Sequence, residues 1–290
     1  MSAMPNPSSD SRRAVLITGC SSGIGRRAAE RLQARGYRVF ATARRAADVA
    51  ALRAQGFDAL SLDLDDSASI ARAVDTVMEQ TRGRLWGLFN NGAYGQPGAV
   101  EDLSRDVLRA QFETNLFGWL ELTNRVLPHM RRAGCGRIVN NSSVLGLIAL
   151  PFRGAYTASK YALEGLTDTL RLELHGTGIH VSLIEPGPIA SRFRANAVRK
   201  LREHIDMQAS PFAERYRAAL RRLEHPGPVA PFTLPPDAVV HKLLHALESP
   251  RPKARYHVTV PTHLFAVLRR LLPTALLDRV LLAVASRENG

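Results

Sequence analysis

Six short runs of apolar and β-branched residues punctuate the first two thirds of the chain: "AVLIT" (14–18), "YRVFAT" (37–42), "DALSL" (58–62), "LWGLFN" (85–90), "GRIVNNS" (136–142) and "IHVSLIE" (179–185). Amphipathic stretches begin near residues 24, 46, 67, 104 and 155. A nearly continuous apolar run indicates a strand buried on both faces, and strands alternating with helices indicate right-handed crossovers between parallel strands. The pattern therefore predicts an α/β fold, a doubly wound parallel sheet with helices on both faces. With 290 residues, 45% of them hydrophobic, the chain can bury such a sheet without staples. Cys20 and Cys135 match neither a metal nor a disulfide spacing, so no metal and no disulfide is expected, and the setting predicted is reducing and cytoplasmic.

The pattern loosens after Pro186. Two basic helical stretches, a proline-rich connector, a helix over about 236–248, a strand "RYHVTV" (255–260) and a leucine-rich end follow. No repeat or linker divides the chain, so one domain is predicted over 12–260, its substrate-loop helices at about 190–235, with an apolar helical extension over 261–290. Residues 1–11 read as a disordered tail, lacking the basic start and apolar run of a secretory signal. Arg269, Arg270, Pro273, Asp278 and Arg279 interrupt the C-terminal apolar segment before the roughly 18 residues a membrane span requires. The net charge is +13, yet the basic residues are scattered and no aromatic-interleaved basic motif accompanies them. No nucleic-acid partner is expected.

Directly after the first run comes "TGCSSGIG", with Gly19, Gly23 and Gly25 opening a helix. Glycines there permit a tight turn and close approach of backbone to a pyrophosphate, while the helix N-terminus supplies N–H donors. Gly19, Ser21, Ser22, Gly23, Ile24 and Gly25 are the candidate phosphate contacts. At the end of the second run, Ala43 stands where an NAD-preferring fold holds a carboxylate for the ribose 2′-hydroxyl, and Arg44 and Arg45 follow at once. A guanidinium there suits a 2′-phosphate, which favours NADP with Arg44 as the main contact. Asp63 and Leu64, after the third run, are placed to meet the adenine edge, although Asp63 could equally cap the next helix, as could Asp66 or Ser67.

Tyr156 and Lys160 lie four residues apart in "AYTASKYALEG", on one helical face. With the glycine loop, "NNGA" after the fourth run, "SS" after the fifth and "YTASK", the chain resembles the short-chain dehydrogenase/reductase family over about residues 12–192. The resemblance implies a Rossmann fold in which Tyr156 gives or takes the proton and Lys160 assists it and bonds the nicotinamide ribose. It implies that Ser143 holds the substrate oxygen, that Asn115 anchors a relay water, and that Pro186, Gly187, Ile189 and Ser191 meet the carboxamide. Asn90 would tie strands beside the cofactor. The family usually reads Asn-Asn-Ala-Gly where this chain has Asn90-Asn91-Gly92-Ala93, so the exchange is expected to keep backbone approach at Gly92 while moving the position that tolerates positive φ.

A phenol, with pKa near 10, is a poor base at neutral pH, so Lys160 is expected to favour the phenolate as a nearby cation. The Ser143 hydroxyl can hydrogen-bond the oxygen on which charge develops. The last third carries Phe193, Met207, Phe212, Tyr216 and Phe232 as well as its leucines, which suits an apolar carbonyl or alcohol such as a steroid, retinoid or long-chain ketone. The apolar end is open to three readings: packing on the core, a homodimer or homotetramer interface, or contact with a membrane surface through 262–285. Two other functions compete. A silent cofactor-binding protein would be expected to lose one of Asn115, Ser143, Tyr156 or Lys160, and an epimerase or dehydratase would need further acid–base groups around the pocket.

Overall fold

The computed structural model of the chain describes residues 12–224 and 231–289. The six runs form β1 (Ala14–Ile17), β2 (Arg38–Ala43), β3 (Asp58–Ser61), β4 (Leu85–Asn90), β5 (Gly136–Asn141) and β6 (Ile179–Glu185), and β7 (Arg255–His257) comes late in the chain. All pair in parallel, in the order β3-β2-β1-β4-β5-β6-β7. Between them run α1 (Gly23–Ala34), α2 (Ala46–Arg53), α3 (Ser67–Thr81), α4 (Arg105–Phe112), α5 (Gly118–Ala133) and α6 (Gly154–Glu173). The remainder adds α7 (Phe193–His204), α8 (Ala213–Glu224), α9 (Asp237–Glu248), α10 (Val260–Leu271) and α11 (Thr274–Asn289). The tail read over 1–11 and residues 225–230 of the proline-rich connector lie outside the described residues.

Successive strand residues face opposite sides of the sheet, so each buried strand feeds two cores. Leu16, Phe40, Leu88 and Ile138 pack with Val77 of α3 and with Trp119, Val126 and Met130 of α5. Val15, Ile17, Val39 and Phe89 pack on the other face with Leu32 of α1, Leu52 of α2 and Leu243 and Leu247 of α9. Two smaller clusters stand apart from the sheet. One joins Leu145 and Ile148 to Phe265 and Leu281 of α10 and α11; the other joins Ala99 to Leu201 and Ile205 at the end of α7 and Tyr216 of α8.

Local chemistry sets the boundaries. Asp66 opens α3 by accepting a hydrogen bond from the Ala68 N–H at 2.8 Å. Asp63 is therefore not the cap, and its carboxylate instead accepts from the Asp65 N–H at 3.3 Å. The strand read over 255–260 is shorter than expected: it ends at His257, because Pro261 falls in the first turn of α10 and commits the chain to a helix from Val260. Between α4 and α5 the chain makes a π-helical turn, Glu113–Phe117.

Because β1 has β2 on one side and β4 on the other, the winding reverses beside their C-terminal ends and leaves a crevice there. Further along the sheet, Arg255 of β7 forms ion pairs with Glu164 and Asp168 of α6 and with Glu185 of β6, the last at 2.6 Å. His257 meets the other oxygen of Glu185. Burial, then the charge of Glu185, pushes the Glu164 carboxyl up to about 7.

Candidate active site

The glycine loop lies at the crevice. Gly19 and Gly23 have φ of +71° and +58°, which L side chains rarely adopt. A Cβ on Gly19 would sit 2.6 Å from the Gly92 Cα, and one on Gly25 would collide with the Gly19 carbonyl oxygen and lie 2.6 Å from Asn91 Nδ2. Ser22, the residue before α1, makes no side-chain cap, so the first N–H groups of the helix are not consumed by it. Ser21, Ser22, Gly23 and Ile24 line an open cavity of about 1120 Å³. Positive-φ glycines, close backbone approach and a helix N-terminus form a cradle that fits a dinucleotide pyrophosphate.

The same cavity continues past Ser143, Tyr156 and Lys160 to an apolar wall that includes Leu145, Ile148, Phe193 and Phe265. Ser143 stands beside Tyr156, its hydroxyl favouring the phenolate against the rise that burial imposes. Ser143 ends the strand-to-helix turn after β5, its Oγ accepting from the Leu145 N–H at 3.1 Å. Tyr156 stands in the first turn of α6, its ring set edge-on to Phe193 at 5.3 Å. Lys160 is 1% exposed. Its Nζ donates to the Asn141 carbonyl at 2.8 Å and lies 4.4 Å from the Trp119 ring centroid.

Here the electrostatics depart from the sequence-based expectation. Burial pushes the Tyr156 phenol up to about 12 despite the Ser143 hydrogen bond, and burial brings the Lys160 ammonium down to about 7, with Glu164 opposing that shift. Desolvation outweighs the attraction expected between the pair, and the lysine, not the phenol, titrates near neutrality.

Pro186, Gly187, Ile189 and Ser191 also line the cavity. A Cβ on Gly187 would collide with Thr259 Oγ1, and Ser191 Cβ lies 3.1 Å from the Cβ position of Gly23, so this loop closes over the glycine cradle. Arg44, Arg45, Asp63, Leu64, Asn90 and Asn115 are not among the residues lining the cavity. Arg44 is exposed just beyond β2. Arg45 is held by both oxygens of Asp48, at 2.7 and 3.1 Å, as a helix-start residue. Leu64 is buried, with Cδ1 3.3 Å from the Cβ position of Gly92. Asn90 ties strands as expected, donating to Asn140 Oδ1 at 2.9 Å and to Thr123 Oγ1 at 3.1 Å. Asn115, in the π-helical turn, donates to the Tyr94 carbonyl at 2.9 Å and to Ser159 Oγ at 3.2 Å, and its Oδ1 accepts from the Tyr94 N–H. It fastens the loop after β4 to the catalytic helix.

The exchange in "NNGA" moves no position that needs positive φ: neither Gly92 nor Ala93 has it. Several contributors escaped the sequence reading. Thr18 Oγ1 accepts from the N–H groups of Asn91 and Gly92, each at 2.8 Å, and stitches β1 to that loop. Trp119 bonds the Gly92 carbonyl at 2.8 Å and floors Lys160. Asn141 Nδ2 donates to Asn91 Oδ1 at 3.0 Å. The doubled asparagines of "NNGA" and "IVNNS" were the available signal for a polar ladder at two adjacent strand ends. Nothing marked Thr18 or Trp119 beyond their types.

Comparison with known proteins bears on this geometry. The chain is 46% identical over 270 residues to the uncharacterized oxidoreductase YbbO of Escherichia coli K12, covering 93% of this chain and 94% of that one. It is 35% identical over 260 residues to human 17-beta-hydroxysteroid dehydrogenase type 1, covering 86% and 78%. Two solved structures superpose: a single-residue variant of actinorhodin polyketide ketoreductase with NADPH (28% identity, TM-score 0.71, covering 86% and 96%) and a Burkholderia phymatum short-chain dehydrogenase/reductase with NAD (25%, 0.73, 90% and 92%). The short chain dehydrogenase family model matches residues 13–202, the span that holds the glycine cradle, Ser143, Tyr156 and Lys160. This chain belongs to that family, as a nicotinamide-cofactor-dependent oxidoreductase.

Proposed function

We propose that the protein transfers hydride between NADP(H) and a carbonyl or secondary alcohol on an apolar, steroid-, retinoid- or long-chain-like substrate. The observation that carries this reading is the single cavity, which joins the glycine cradle to an apolar wall through Ser143, Tyr156 and Lys160. The human relative's name, a hydroxysteroid dehydrogenase, supports the same substrate class.

Gly19 to Gly25 and the Pro186–Ser191 loop would hold the dinucleotide, and Arg44, exposed beside Ala43, would take the 2′-phosphate. When bound, the nicotinamide supplies or takes the hydride. Ser143 and Tyr156 line the cavity side by side, so both hydroxyls can turn to one substrate oxygen. In reduction Tyr156 gives its proton to that oxygen; burial keeps the phenol protonated at neutral pH, and the alkoxide developing on the substrate is the stronger base that takes the proton. Ser143 donates to the same oxygen as charge develops on it. Lys160, held by the Asn141 carbonyl, then stabilises the phenolate left behind.

The test is NADPH oxidation across steroid, retinoid, aromatic and aliphatic carbonyls, with Tyr156→Phe as control. Turnover of an apolar carbonyl by the parent, and its loss in the variant, is expected; equal turnover by the variant overturns the mechanism. An NADPH-over-NADH preference that survives Arg44→Ala unchanged would refute the role given to Arg44.

A further inference from the structure

On α10, Val260, Leu264, Val267 and Leu271 are 57%, 51%, 53% and 73% exposed, while Thr262 and Phe265 are buried. Spacings of four, three and four residues put the exposed set on one helical face, so α10 is amphipathic in an unusual sense. One stripe packs on Leu145 and Ile148, and the opposite stripe faces outward. Val260 and Leu264 also line the cavity, so the outward stripe runs directly into the mouth of the substrate pocket.

The charge of this segment is mainly positive. From Val260 to Ser286 the chain carries three arginines and one carboxylate, Asp278; of the arginines, Arg269 lies on the opposite face of α10 over the Tyr161 ring, while Arg270 stands beside the stripe and Arg279 on α11. The chain as a whole carries +13. A second copy of the chain would bring the same positive charge to the contact. The four exposed side chains are also far fewer than the roughly 20–30 residues that each partner gives to a standard stable interface. An apolar helical stripe flanked by arginines has the makeup of an interfacial membrane helix, for which shallow insertion suffices.

We propose that the outward face of α10 docks on an anionic lipid bilayer and sets the mouth of the cavity against the acyl region, so that apolar substrate enters from lipid. No helix of the described residues is long and apolar enough to cross a membrane, so the contact is one of surface attachment. The proposal rests on the apolar-substrate reading for its purpose, but the attachment is measurable without any turnover.

The experiment is flotation of the full chain with phosphatidylcholine vesicles, with and without about one third phosphatidylglycerol, at about 0.1 M salt. Binding to the anionic vesicles, weakened by high salt, is expected. Val267→Glu/Leu271→Glu, at two positions that do not line the cavity, should weaken it about a hundredfold or more. The same variant should reduce a small water-soluble carbonyl at the parent's rate, which verifies its fold and separates attachment from catalysis. Absence of parent binding to anionic vesicles, or parent-like binding by the variant, overturns the proposal. So does a parent dimer that the variant converts to monomer with lipid binding unchanged, which would assign the stripe to a second copy.

Discussion

Lys160→Met should abolish activity and yet stabilise the protein, in a way that fades as pH rises. The lysine is buried, and its pKa falls from 10.5 to about 7 in the folded chain. Each tenfold change in proton affinity is about 1.4 kcal/mol, so below pH 7, where the ammonium is charged in both states, folding loses about 5 kcal/mol to this group. Between about 7 and 10.5 the unfolded chain binds more protons than the folded one, so the loss shrinks with rising pH, to about 2 kcal/mol at pH 9. Methionine keeps the length and removes the charge, but orphans the Asn141 carbonyl, at a cost of about 1–3 kcal/mol that does not depend on pH. Urea unfolding of parent and variant at about pH 6 and about pH 9, both in a Glu164→Gln background, isolates the lysine, because the carbonyl cancels and the coupled carboxyl is gone. The variant's advantage should be about 2–3 kcal/mol larger at the lower pH. An advantage equal at both pH values, or larger at the higher one, would refute the assignment of a desolvated, depressed lysine.

Tyr156→Phe should lower kcat by about a thousandfold or more while leaving the thermal midpoint within a few degrees of the parent, as seen by calorimetry beside the turnover assay. Gly25→Ala should cost about 1–3 kcal/mol of stability and weaken cofactor affinity measured by fluorescence titration, since the added methyl has no room against the Gly19 carbonyl. Tyr216→Phe removes a hydroxyl that donates to Asp102 at 2.6 Å and accepts from the Ala99 N–H at 2.7 Å, and should cost about 1–3 kcal/mol of stability in urea unfolding. Because Tyr216 lines the cavity, KM for an apolar substrate should rise more than kcat falls.

The sheet was legible because its strands are buried on both faces and announce themselves as continuous apolar runs. The glycine loop was legible because few residue types can occupy its backbone. Legibility ended where geometry depends on the partner across space. "RYHVTV" has the composition of a strand throughout, but Pro261 cuts it at a place only the helix that follows explains. Arg44 and Arg45 look alike in sequence; one is claimed by Asp48, three residues on, and the other is left exposed at the crevice. The sign of the Tyr156–Lys160 electrostatics could not be read from their spacing. It depends on how completely Trp119, Asn141 and the α6 turn exclude water, and those contacts come from three separate parts of the chain.

The Arg255 clamp bears on the order in which the molecule can be made. Glu164 and Asp168 continue the helical face that carries Tyr156 and Lys160, and Glu185 lies wholly buried beside them, so three carboxylates crowd under the catalytic helix. Asp168 has Arg171 on its own helix, but the guanidinium that reaches Glu185 and Glu164 arrives 70 and 91 residues after them, on the last and shortest of the described strands. On a ribosome the catalytic helix would emerge well before its counter-charge, and could seal against the sheet only with those acids protonated or still hydrated. The candidate active site is thus a late product of synthesis: a nascent chain that stops short of residue 255 holds Ser143, Tyr156 and Lys160 and lacks the cation that neutralises Glu164 and Glu185 beside them.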